Sequence, residues 1–250
     1  MRRFPGHIVK GFRILRGMVL PGTLPAVDPP IPIPKRRSGR WKWRVGIGLG
    51  IAGVLIFVKL AMGGLNMLSG GSYEFLQMQG DDPVTWNHCQ AIRYQVNPKG
   101  APANWQEIVH QAVDEVQAAS GFVFADRGTT VKTELIGGKY QGNEWEPVLI
   151  VWSDRYQDGS LDGGVIGRGG GGTVDVNGRL RYVVGKVALD STVQDPVATQ
   201  MVLEHELGHV LGLDHTGNGS QLMAAVYTGQ EGFGKGDVNG LKRLHDVPCD

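Results

Sequence analysis

Hydrophobic and polar positions change their period along this chain, and each change marks an element. AIRYQVN, residues 91–97, alternates apolar and polar side chains, which predicts a strand with one buried face. From Asn104 the period lengthens. Trp105, Ile108, Val109, Ala112, Val113 and Val116 recur at helical spacing, with Asn104 placed to cap the helix and Glu107 three residues on. His110 falls off that stripe and is expected in solvent. FVFADRG, TVKTELI and PVLIVWSD follow as strands, the last so uniformly apolar that it belongs inside a sheet. TVDVNGRLRYVV predicts a hairpin, because Asn177-Gly178 supplies the left-handed backbone of a two-residue turn. The run GRGGGG before it, residues 167–172, is no phosphate loop, since no helix opening with Lys-Ser or Lys-Thr follows. DPVATQMVLEHELGHVLGL then reads as a helix with Asp195 as cap and Pro196 in its first position. The order is strand, helix, several strands, then helices.

The N-terminal part follows another pattern. VGIGLGIAGVLIFV, residues 45–58, is an uninterrupted apolar run behind Arg36, Arg37, Arg40, Lys42 and Arg44. As a helix it spans roughly 21 Å. Crossing a hydrocarbon core of ~30 Å requires Lys59 to snorkel while Leu60 to Leu68 continue it. Its glycines would weaken a soluble core helix. Charge agrees with a membrane boundary, because residues 1–44 carry eleven Lys or Arg against the single acid Asp28, while the remainder carries fourteen against twenty-three. The expected organisation is a basic, Pro-rich cytoplasmic tail over 1–44, a transmembrane signal-anchor over 45–68, a Gly/Ser-containing spacer over 69–85 and an exported domain over 86–250. AMG, residues 61–63, has the small-x-small form of a signal-peptidase site, so a cleaved signal and a secreted domain stay open beside the anchor. The acidic balance of the exported part argues against nucleic acid. Nothing in the sequence fixes an oligomeric state.

Export gives the cysteine count meaning. Cys89 and Cys249 are the only two, they flank the exported domain, and a disulfide between them would close one long loop. The alternative is that one of them reaches a metal as a thiolate.

HELGHVLGLDH, residues 205–215, holds three of the seven histidines. His205 and His209 lie four apart on one helix, so both rings stack on one face and reach a single ion, with Glu206 beside them as an acid that need not ligate. Gly212 can turn left-handed where a continuing helix would carry His215 away, which makes His215 the third ligand. Three neutral nitrogens with an open fourth position are the donor set of a catalytic zinc.

The pattern HExxHxxGxxH, formed by His205, Glu206, His209, Gly212 and His215, resembles the signature of the metzincin zinc peptidases. SQLMAAVY places Met223 where that family has its Met-turn, and Met223-x-x-x-Tyr227 is similar to the turn and specificity-pocket wall of the matrixin branch. GDVNGLKRLHD, residues 236–246, resembles the closing helix of the same branch. The resemblance runs from about Trp86 to the C-terminus and is strongest over residues 195–246. It implies an α+β zincin-like domain, with a twisted mixed sheet, an N-terminal helix, an active-site helix and a C-terminal helix. It also implies one catalytic Zn2+, Glu206 as catalytic base, Met223 as a structural residue beneath the metal, and a protein or peptide substrate bound along an edge strand. The chain departs from the branch in several places. No histidine occurs between His110 and His205, so a second, structural zinc lacks ligands. Thr216 matches no usual branch marker. No cysteine-switch prosegment precedes the domain. The acids Asp154, Asp158, Asp162 and Asp175 fit no calcium-binding spacing and read as solvated loop residues. The rival expectations are a zinc-binding interaction domain without turnover and a zinc hydrolase of non-peptide bonds, for which no motif speaks.

Overall fold

The structure is a computed structural model and describes Met18 and residues 72–135 and 144–250. In chain order its elements are β1 (Glu74–Phe75), β2 (Met78–Gln79), β3 (Asp82–Pro83), β4 (Ile92–Asn97), α1 (Trp105–Ser120), β5 (Phe124–Thr129) and β6 (Val148–Ser153). After these come β7 (Gly167–Val176), β8 (Arg179–Asp190), α2 (Pro196–Leu211), β9 (Leu213–Asp214) and α3 (Lys235–His245).

Five strands form one mixed sheet in the order β5-β4-β6-β8-β7. All neighbours run parallel except the β7–β8 hairpin. β6 is central, as its apolar run requires, and Val148, Leu149, Ile150, Val151 and Trp152 are all buried. Asn177 (φ 53°) and Gly178 (φ 86°) close the hairpin in the left-handed region. β7 is left at the sheet edge.

The strand expected over TVKTELI does not form. Residues 130–135 are irregular and Val131 is 93% exposed. Its backbone is met by a side chain, Asn97 Nδ2 donating to the Lys132 carbonyl, and its charged residues are used in ion pairs. Lys132 pairs with Glu146, and Glu134 reaches the buried Lys186. Helix α1 forms where its period predicts, but Asn104 makes no side-chain cap bond. His110 is exposed, with only a 3.8 Å approach to Asp126.

α2 is hydrophobic almost all round and buried accordingly, between α1 on one side and β7 and β8 on the other. Asp195 Oδ1 caps it by accepting from the Ala198 amide at 2.8 Å, and Pro196 opens it. Its C-terminal carbonyls are satisfied by the segment that precedes the sheet: Trp86 Nε1 donates to the Val210 carbonyl and the Leu76 amide to that of Gly212.

The spacer expected over 69–85 is therefore folded along most of its length. β1 pairs with β9 (Glu74 with Asp214, Phe75 with Leu213), and Ser72 Oγ lies 2.6 Å from Thr216 Oγ1. The membrane segment expected over 45–68 lies outside the described residues. Among the described residues no helix is long and apolar enough to cross a membrane.

Cys89 and Cys249 are disulfide-bonded with Cα atoms 6.0 Å apart, closing a span of 160 residues. The buried Arg181 holds the end of the chain beside that bond, through the Asp250 carboxylate and the Pro248 carbonyl.

Candidate active site

A central helix carrying Glu204, His205, Glu206 and His209 places four polar groups where each must find a partner. The histidines find theirs on the outer side. His205 Nδ1 lies 2.7 Å from the Leu222 carbonyl and His209 Nδ1 lies 2.8 Å from the Leu213 carbonyl. A carbonyl only accepts, so both Nδ1 atoms carry the proton and both Nε2 atoms present lone pairs. Those lone pairs meet His215, whose Nε2 is 3.2 Å from each of the other two. A single N–H on His215 can serve only one of them. Two nitrogens about 2.05 Å from a tetrahedral zinc stand about 3.3 Å apart, which both of these separations match, and the three ligand nitrogens lie within 4.8 Å of one another, a group that could hold one zinc ion. Burial, and next the neighbouring His215 ring, lower the pKa of His205 to about 3, while the Leu222 carbonyl opposes the change. The ring is neutral and ready to ligate throughout the physiological range.

Gly212 brings His215 into this group. Its φ of 122° lies where L side chains rarely go, and a Cβ there would stand 2.9 Å from the Val84 carbonyl oxygen. The returning chain is pinned to the Met-turn, because the Thr216 amide donates to the Met223 carbonyl. Met223 itself is buried and packs on α2 at Gly208, and Tyr227 is half-buried against the same core.

Glu206 projects from the adjacent face and is fully buried. Its Oε1 accepts from the Met18 amide at 3.3 Å, whereas Oε2 has no hydrogen-bond partner among the described residues. An unsatisfied buried carboxylate oxygen is costly, on the order of 1–3 kcal/mol, and is the place for a water. Burial pushes this carboxyl well above the ordinary glutamate range, opposed by the Met18 amide, Arg168 and the Gly169 amide. A divalent cation at the imidazoles would draw it down again.

Three features of the site escaped the sequence reading. The glycine run is the first: it lies in β7, against Glu206. A Cβ on Gly169 would approach the Glu206 carbonyl oxygen to 2.2 Å, and one on Gly167 would meet Glu206 Oε1 at 2.8 Å. The signal was present as a glycine run leading into a hairpin, but only α2 gives it a purpose. Asp237 is the second. It is buried in α3, and its carboxylate accepts from the Leu222, Met223 and Gly234 amides. The third is Met18, far away in sequence and placed at the Glu206 carboxylate.

Asp154, Asp158, Asp162 and Asp175 each accept from amides of their own turns, and Asp158 also faces Lys186. They form no metal-binding group among the described residues. With both cysteines spent on one disulfide, no thiolate is left for the zinc.

An α+β domain whose sheet edge lies over a helix presenting two histidines, with a third returned by a glycine turn, defines a zinc metallopeptidase of the metzincin kind. The Matrixin family model matches residues 85–246, and the chain belongs to that family. The chain matches no curated protein. Among solved structures it is similar to metalloproteinase-II from Bacteroides fragilis, at 18% identity and a TM-score of 0.37, covering 64% of this chain and 53% of that one. The chain thus spans about half the length of that protein.

Proposed function

We propose that the chain is an extracytoplasmic endopeptidase in which Glu206 is the catalytic base. The carrying observation is the convergence of the three Nε2 atoms next to a carboxylate whose Oε2 is buried without a partner. Zinc held by the three imidazoles would supply Lewis acidity toward a substrate carbonyl and would acidify a water. Glu206 takes the proton from that water as it attacks and passes it to the departing amine nitrogen. The β7 edge receives the substrate backbone in extended form, and Tyr227 forms a wall of the specificity pocket. Met223 sets the floor under the histidines.

Export is supported by the disulfide, which persists in oxidising compartments, and by the basic leader ahead of the apolar run at 45–68. On this reading residues 45–68 anchor the protein in the cell membrane, with residues 1–44 inside and the catalytic domain outside.

Glu206→Gln tests the assignment. The variant should bind one zinc per chain and lose cleavage of a mixed peptide library by at least a hundredfold. Retained cleavage overturns the role of Glu206, and loss of zinc with cleavage would make the residue structural.

A further inference from the structure

Cys89 and Cys249 have a neighbour that their disulfide does not use. His88 Nε2 lies 3.2 Å from Cys249 Sγ, and His88 Nδ1 is buried with no hydrogen-bond partner among the described residues. A disulfide sulfur is a weak acceptor, so neither ring nitrogen has a strong partner in the oxidised chain. One imidazole nitrogen and the two sulfurs all lie within 4.8 Å of one another.

We propose that His88, Cys89 and Cys249 form a second zinc site, which becomes available when the disulfide is reduced. Two thiolates and an imidazole are donors that suit Zn2+ and not Mg2+ or Ca2+, which take oxygen ligands. The spacing fits. On a tetrahedral zinc a nitrogen and a sulfur stand about 3.5 Å apart, and two sulfurs about 3.8 Å. His88 and Cys249 are already near the first separation. The second is within reach of two cysteines whose Cα atoms lie 6.0 Å apart, by rotation about their own Cα–Cβ bonds. Cys89 is exposed, so solvent delivers the ion and a water for the fourth position.

The three residues are held in place by contacts other than the disulfide. Trp86, two residues before His88, is fixed by its indole bond to the Val210 carbonyl, and the Cys89 amide donates to Asn87 Oδ1 at 3.1 Å. On the other arm Val247 is buried, Arg179 and Arg181 both donate to the Pro248 carbonyl, and Arg181 also holds the Asp250 carboxylate. His245, at the end of α3, stacks on His88 with ring centroids 4.3 Å apart. Both arms therefore keep the sulfurs near each other once the bond between them is broken. The domain ends are closed by a covalent bond in the oxidised chain and by an ion in the reduced one.

The exchange balances with a dithiol as reductant. It gives two electrons to the Cys89–Cys249 bond, becomes a disulfide itself, and leaves two thiols on the chain. Zn2+ then displaces both thiol protons to solvent, and the metal keeps its oxidation state.

The test compares the zinc-loaded full chain before and after reduction by a phosphine, which is converted to its oxide and spares the metal. After desalting, metal analysis should find one zinc per oxidised chain and two per reduced chain. Cobalt in place of zinc should give thiolate-to-metal absorption in the reduced chain only. His88→Ala should weaken the second ion by roughly tenfold or more in competition with a chromophoric chelator and leave the first ion in place. Added zinc should raise the urea midpoint of the reduced chain and not that of the Cys89→Ser, Cys249→Ser double variant under the same conditions. A reduced chain that gains no zinc overturns the site, and so does a second ion bound without thiolate absorption. Equal affinity in His88→Ala overturns His88 as a ligand. An oxidised chain without zinc counts against the imidazole site of His205, His209 and His215, and the gain of an ion on reduction is read independently of it.

Discussion

Met223 rests its sulfur against Gly208, so closely that a β-carbon on Gly208 would come within 2.6 Å of Sδ. Gly208 lies between His205 and His209 on α2, so the Met-turn touches the helix where the two imidazoles leave it. Gly208→Ala should raise helix propensity by about 1 kcal/mol and still destabilise the protein, because overpacking of a tight core contact costs typically 1–3 kcal/mol. Thermal unfolding and zinc titration of the variant check this. A more stable variant with unchanged zinc affinity would show that the contact is incidental.

Gly169 sets how near β7 comes to α2. Its absent side chain lets β7 lie on the backbone of Glu206, where a Cβ would stand 2.2 Å from the carbonyl oxygen. That neighbour is backbone and cannot rotate aside. Gly169→Ala should lower the unfolding midpoint in urea markedly and reduce peptidase activity, since β7 must lift away. Gly159→Ala, with nothing within 4 Å of the new carbon, should stay within about 0.5 kcal/mol of the parent and serves as its control.

Asp237 acts on the zinc through two intermediaries. Its carboxylate holds the Leu222 and Met223 amides, and the Leu222 carbonyl in turn fixes the His205 ring. Asp237→Ala leaves three amides without their acceptor, which should destabilise the fold by about 1–3 kcal/mol. Zinc affinity should fall about 10–100-fold, the usual penalty for losing an outer partner of a metal ligand. Competition with a chromophoric chelator measures this. Unchanged affinity would mean that the Met-turn holds its shape without the carboxylate.

Replacing Cys89 and Cys249 together with serine should lower stability by up to about 4–5 kcal/mol, the loop-closure entropy of so long a span. The readout is the urea midpoint of the zinc-loaded protein. A loss below about 1 kcal/mol would assign the closure of the chain ends to Arg181 and its bonds to Pro248 and Asp250 instead.

Much of this site is local, and local information was enough to find it. Four residues of helix put His205 and His209 on one face whatever surrounds them, and a glycine at 212 is needed wherever the chain must reverse; period and backbone sterics therefore named the ligands. The same physics placed α1, the hairpin at Asn177-Gly178 and the apolar β6. TVKTELI failed for the complementary reason: alternation gives a segment a face, but a strand also needs ladder partners, and here the Lys132 carbonyl is bonded by the Asn97 side chain while Lys132 and Glu134 pair with Glu146 and Lys186. What tertiary structure alone decided is which distant backbone lies against α2. The glycines of β7, the Gly208 gap under Met223, the Asp237 brace and the seat of Met18 at Glu206 all join residues separated by many positions in the chain. Close packing selects such contacts by shape across the whole core, and shape at that range is written in no single stretch of sequence.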